Sequence, residues 1–94
     1  VTNTNRQIQM GRPAVAPPGE ARPDWWIIRE IARRLGLEWD FEEPRDVFAE
    51  MKHAMPSLDN ITWDRLEREG SVTYPCPAPD HPGRGIVFEQ EFLT

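Results

Sequence analysis

One side chain among these 94 residues offers binding chemistry that its neighbours do not explain away, the carboxylate of Asp24. An ionised carboxylate only accepts hydrogen bonds. It can cap the helix that follows it, or it can receive two parallel donors from a ligand, the bidentate geometry that makes charge-assisted pairs strong. Guanine presents such a pair, N1–H and N2–H, on one edge. Pro17, Pro18, Gly19 and Pro23 lead into Asp24, and a proline-fixed loop holds a carboxylate rigidly, the preorganisation a nucleotide site requires. The other chemistry-bearing residues read as surface and loop. His53, Cys76 and His81 have no fourth ligand and match no zinc spacing. Glu42 and Glu43 are chain neighbours, no serine or cysteine stands on a nucleophile elbow, and no glycine-rich loop carries a strand into a helix. The sequence therefore predicts no catalytic residue and no metal ligand in the chain.

The element that must position Asp24 is a helix. Trp25, Trp26, Ile27, Ile28, Ile31, Ala32 and Leu35 are spaced to form a broad apolar face, and Arg29, Glu30, Arg33 and Arg34 form the other. Asp24 stands at the expected N-cap. Glu30 is placed to pair with Arg34, and Gly36 with Leu37 reads as a Schellman stop. The spacing thus predicts a main helix over 24–36, around which the chain is organised. Ahead of it, alternation at Ile8 and Met10 predicts a short strand within 4–10, and residues 11–23 an ordered extended loop. Behind it, 37–70 reads as two shorter helices. Pro44 opens the first, with Val47, Phe48, Met51 and Met55 at helical spacing before Pro56. Asn60 or Thr62 caps the second around Trp63 to Glu69, and Gly70 closes it. Residues 71–94 read as an extended Ser71 to Tyr74, a proline-rich loop from Pro75 to Gly85, and a strand at Ile86 to Phe88.

Composition narrows the class. Residues 1–37 carry a balance of +3 and residues 38–94 a balance of −8, for the net −5. Non-specific nucleic-acid binding by the whole chain needs a basic face that this balance denies. No stretch approaches the roughly 18 to 20 apolar residues of a membrane span, so no membrane partner is expected. Four Trp, four Phe and one Tyr are too much aromatic surface for a disordered tail. Ten Pro and six Gly interrupt every periodic run, which predicts short elements leaning on something larger. The chain opens on Val1, and the expectation is an internal segment of a larger soluble subunit in which 1–23 forms an extended segment and loop ahead of the main helix.

The stretch Thr2-Asn3-Thr4-Asn5-Arg6-Gln7-Ile8-Gln9, then Pro18-Gly19-Glu20-Ala21-Arg22-Pro23-Asp24-Trp25-Trp26-Ile27-Ile28 and Glu30-Ile31-Ala32-Arg33-Arg34-Leu35-Gly36, resembles the molybdopterin oxidoreductase family. The likeness is greatest to the alpha subunit of molybdenum- or tungsten-dependent, NAD-linked formate dehydrogenases. Met55-Pro56-Ser57-Leu58-Asp59-Asn60-Ile61-Thr62-Trp63 and Tyr74-Pro75-Cys76 also look like that subunit. The resemblance implies a fragment of an α/β domain ahead of a C-terminal barrel, with short helices, an extended N-terminal segment and Pro-rich loops. It implies a cytoplasmic enzyme that interconverts formate and carbon dioxide. Its metal is bound by two molybdopterin guanine dinucleotides, its iron–sulfur clusters lie elsewhere in the subunit, and NAD and FMN belong to a partner. The implied partners are the remainder of the alpha subunit and iron–sulfur/flavin beta and gamma subunits.

One functional residue carries over: the family's Gly-Glu-Ala-x-x-Asp segment matches Gly19 to Asp24, which makes Asp24 the expected guanine ligand. The family's catalytic cysteine or selenocysteine with its His and Arg lies outside this stretch, and Cys76 matches none of its cysteines. Where many relatives have an acidic residue and two arginines, this chain has Asn5, Arg6 and Gln7, so no role passes to Arg6. Nitrate reductases share much of the segment and supply one alternative reading. A small acidic module docking its Trp-rich helix face on a protein partner supplies another.

Overall fold

The computed structural model describes residues 1–88. It is an α/β arrangement of short helices and a small sheet: β1 (Gln7–Gln9), α1 (Asp24–Arg34), α2 (Pro44–Ala54), a 3-10 turn (Pro56–Leu58), α3 (Trp63–Glu69) and β2 (Ser71–Thr73). Among the described residues no helix is long and apolar enough to cross a membrane.

β1 lies within the segment where alternation predicts a strand. It pairs antiparallel with β2, setting Gln7 opposite Thr73, Ile8 opposite Val72 and Gln9 opposite Ser71. Residues directly opposite share a sheet face, and Ile8 and Val72 are both buried. The first residues of the chain close the other edge of β1. The Val1 nitrogen donates to the Gln9 carbonyl at 3.0 Å, the Gln9 N–H to the Val1 carbonyl at 2.7 Å, and the Asn3 N–H to the Gln7 carbonyl at 3.1 Å. At the bend Arg6 takes φ of 61°, which few non-glycine residues adopt. Its carbonyl accepts from the Tyr74 N–H. Its guanidinium donates to the carbonyls of Tyr74 (2.7 Å), Arg84 (3.4 Å) and Gly85 (2.6 Å).

The core sits beside this sheet, built from Ile8, Leu58, Ile61, Leu66, Val72 and Cys76, with Met10, Phe48 and Tyr74 at its margin. That corrects the expectation of a chain organised around its main helix. Of α1 only Ala32 is buried, whereas Ile27, Ile28, Ile31 and Leu35 are exposed. Helical spacing identifies an apolar face but not what covers it. α1 is fastened by its other side, where Arg29 lies over the Trp25 ring at 5.5 Å and donates to the Phe41 carbonyl of the connector. Glu30 pairs with Arg29 (3.2 Å) and Arg33 (3.7 Å) rather than with Arg34.

α2 starts on Pro44 as expected, and the Asp46 carboxylate accepts the N–H groups of Glu42 and Glu43 at 3.0 and 3.2 Å. It meets α3 through the tilted Phe48 and Trp63 rings, 6.2 Å apart, and through the Arg45–Asp64 ion pair. Of the two candidate caps for α3, Thr62 serves, accepting the Arg65 N–H at 3.1 Å. Pro56 ends α2 and also opens the 3-10 turn, which helical periodicity does not register. Residues 86–88, where a strand is predicted, form none. The rest of the predicted 71–94 segment, 89–94, lies outside the described residues.

Arg65 is 4% exposed, and its fork ties α3 to the loop after β2. Nε donates to both oxygens of Glu69 at 3.1 Å, Nη1 to the Asn60 carbonyl (3.3 Å) and Cys76 Sγ (3.1 Å), and Nη2 to the His81 carbonyl (2.7 Å). Burial alone would ease its proton off, but the bonds to Glu69 and Cys76 outweigh it and raise its pKa. The bond from Arg65 in turn holds the Glu69 carboxyl below its usual pKa, against some desolvation and with help from Arg68.

A carboxyl lowered by folding contributes stability that is present above its unfolded pKa and lost as pH falls through the lower folded one. The thermal midpoint is therefore expected to fall as acid is added below about pH 4.3. Glu69→Gln should flatten that part of the curve. An unchanged slope in the variant would assign the titration to other carboxyls.

Candidate functional site

The backbone before α1 is a tight turn, closed by the Ala21 N–H donating to the Pro18 carbonyl at 3.1 Å. Pro23 follows in an extended conformation, φ −60° and ψ 145°, and is itself the N-cap. Its carbonyl accepts the N–H groups of Trp26 and Ile27 at 3.0 and 3.2 Å. Asp24 is therefore not the cap but the first residue inside the helix, and no side-chain cap bond forms. Proline suits the cap because its ring fixes φ in the range needed and it has no N–H to leave unpaired.

The correction frees the carboxylate. Asp24 is exposed, and among the described residues it has no hydrogen-bond or ion-pair partner. The nearest cation in sequence, Arg22, is engaged elsewhere: Nη1 donates to the Ala21 carbonyl at 3.0 Å, and the guanidinium lies over the Trp26 ring at 5.8 Å. Two acceptor oxygens thus stand open at the positive end of a helix dipole, which favours their charge. Sequence reasoning missed Arg22. Its type two residues ahead of Asp24 suggests an ion pair, and only the Trp26 ring shows where it goes instead.

The far end of the helix holds its Schellman stop. The Gly36 N–H reaches the Arg33 carbonyl and the Leu37 N–H the Ala32 carbonyl, each at 3.0 Å, with Gly36 at φ 82°. The helix proper ends at Arg34, short of the predicted 36.

The side chains set aside in the sequence are dispersed or structural. His53 is exposed near the end of α2, and Glu42 and Glu43 are exposed ahead of it. Cys76 and His81 do meet, but the Cys76 thiol takes the His81 carbonyl at 3.1 Å, not its ring. The ring Nδ1 accepts the Gly83 N–H at 3.0 Å.

Residues 1–34 match the family described as Molybdopterin oxidoreductase. The chain is 39% identical over 95 residues to the F420-dependent formate dehydrogenase subunit alpha of Methanocaldococcus jannaschii, which covers 99% of this chain and 14% of the relative. It is 36% identical over 94 residues to the F420-dependent formate dehydrogenase 2 subunit alpha of Methanococcus maripaludis, covering 98% of this chain and 14% of the relative. The chain thus spans about a seventh of the length of these curated relatives. Asp24 falls inside the family match, and the core around β2 and α3 falls beyond it. By sequence the chain is homologous to a segment of formate dehydrogenase alpha subunits, and its residues 1–34 carry the molybdopterin oxidoreductase pattern.

Proposed function

We propose that this chain is the part of a formate dehydrogenase catalytic subunit that holds one guanine of a bis(molybdopterin guanine dinucleotide) cofactor. The observation that carries the reading is the open Asp24 carboxylate at the head of α1. The chemistry fits: the Watson–Crick edge of guanine brings two adjacent N–H donors, and Asp24 brings two acceptors and no donor. The Pro18–Ala21 turn and Pro23 fix the backbone on the approach side. When bound, the pterin-held molybdenum or tungsten supplies the redox chemistry that turns formate into carbon dioxide. The residues of this chain orient the nucleotide end, and the catalytic residues and iron–sulfur clusters belong to other parts of the subunit. The resemblance implies electrons passing to NAD through partner subunits in the cytoplasm, while the names of two relatives favour F420 as a second reading of the acceptor. Formate-driven reduction of one acceptor and not the other by the purified enzyme decides between them.

The test of the site is cofactor content. In the complete subunit, Asp24→Ala removes a charged acceptor worth roughly 1.5 to 3 kcal/mol per hydrogen bond, so retained pterin and metal are expected to fall by an order of magnitude or more. Asp24→Asn, which replaces one acceptor by a donor facing a donor, should be nearly as harmful. Metal analysis and the fluorescence of the oxidised pterin read both. Wild-type loading in both variants would sink the guanine assignment.

A further inference from the structure

The uncovered face of α1 is headed by Asp24 itself. At about 3.6 residues per turn, Asp24, Ile28, Ile31 and Leu35 succeed one another at i, i+4, i+7 and i+11, with Ile27 beside them. Ile28 is 56%, Ile31 52% and Leu35 75% exposed. The adjoining flank of the helix is the engaged one, through Ala32, Trp25 and Arg29. Among the described residues the stripe is therefore left largely open, with Ile28 alone reaching the edge of the Trp39–Phe41 connector. A contiguous aliphatic strip of this kind marks an interaction surface, unlike single apolar residues scattered in water.

We propose that this stripe docks the rest of the catalytic subunit, and that the docked surface also closes over Asp24. The proposal rests on the reading of the chain as a segment of a formate dehydrogenase subunit. Its occupant is an apolar stretch of the same polypeptide outside these 94 residues. Relatives that align along 98 to 99% of the chain have all but 14% of their length elsewhere, ample to supply the cover. The stripe also specifies the chemistry of its partner. Ile27, Ile31 and Leu35 form an i, i+4, i+8 ridge of the sort that fits a groove on a second helix. Arg34, on the flank of that ridge and without a partner among the described residues, suits an acidic residue opposite. At the Asp24 end the cover must leave room for donors, because a carboxylate buried without them is strongly disfavoured. A guanine edge provides them, so docking and nucleotide capture occur on one continuous surface.

The test compares three variants in the full-length subunit. Ile31→Glu places a charge in the middle of the stripe and is expected to lower the yield of soluble, cofactor-loaded subunit by about tenfold or more. Ile31→Met, which keeps an apolar side chain, should stay within about twofold of wild type. Arg33→Glu, on the opposite side of the helix, should assemble normally. Normal assembly of Ile31→Glu, or an equal defect in Arg33→Glu, would overturn the proposal. So would a concentration-dependent dimer of the 94-residue chain that Ile31→Glu abolishes, since a second copy would then be the cover. The outcome separates the two readings. Loss of Ile31→Glu with full loading of Asp24→Ala upholds the surface and removes the guanine, and the reverse pattern removes the surface alone.

Discussion

Gly83→Ala is expected to cost the chain about 3 kcal/mol or more, the sum of overpacking and a disfavoured backbone. In a domain of this size each kcal/mol moves the thermal midpoint by roughly 4 to 8 °C, so the shift should be large. Gly83 has φ of 95°, and a Cβ there would lie 2.7 Å from the carbonyl carbon of Thr73 and closer still to its oxygen. Those atoms belong to the backbone of β2, which cannot swing aside as a long side chain would. Either the loop lifts away, straining the Arg84 N–H bond to the Pro75 carbonyl, or β2 shifts against β1. Gly36→Ala is the matched control. Its φ is 82°, but nothing lies within 4 Å of the added methyl, so only the left-handed penalty of about 1 to 2 kcal/mol applies. Thermal unfolding followed by circular dichroism reads both, and equal shifts would show that the Thr73 contact gives way.

Arg65→Met is the second large effect. It removes the donor of the Asn60 carbonyl and the Cys76 sulfur, and leaves the His81 carbonyl to the Cys76 thiol and the Glu69 carboxylate to Arg68. Each buried group stranded in this way costs about 1 to 3 kcal/mol. Glu69 is 37% exposed, so water compensates it, and the net loss should be about 3 kcal/mol, carried by the Asn60 carbonyl and the sulfur. Arg65→Lys keeps the charge but has a compact ammonium in place of a planar fork. It should recover about half of that loss, because one ammonium cannot reach acceptors spread from α3 to the loop. Urea unfolding measures the difference. A lysine variant as stable as wild type would mean that the charge, and not the fork, holds the loop.

Local features of this fold are legible in the residues, and distant ones are not. The helix start at residue 24, its glycine stop, Pro44 opening α2 and Thr62 capping α3 all depend on neighbours within a few positions. The nature of the first cap was misread because aspartate is the commoner capping side chain, whereas here the backbone carbonyl of Pro23 suffices. The place of the core was also misread. Trp25, Trp26 and the isoleucines draw attention to α1, but the buried cluster joins Ile8 to Val72, Leu58 to Cys76, and pairing across some sixty residues leaves no periodic trace in either segment. Arg65 shows the same limit: in sequence it is one of several charges on a short helix, and only the approach of the loop carrying Cys76 and His81 makes it a buried hub. Asp24 was legible as a candidate through its type and lead-in. That its oxygens stand open was not, since it depends on Arg22 turning to Trp26.

The grip of Arg6 on the carbonyls of Arg84 and Gly85, the latter 79 residues further along, sets an order of events during synthesis. At about 5 to 20 residues per second, roughly 4 to 16 seconds separate the making of Arg6 from that of Gly85. Within that interval α1, α2, α3 and then β2 are made, and the loop that the arginine of β1's bend clasps comes last. Ile8 is thus made ahead of all three helices yet seated only once β2 has followed them, and the clasp of Arg6 on Gly85 closes last.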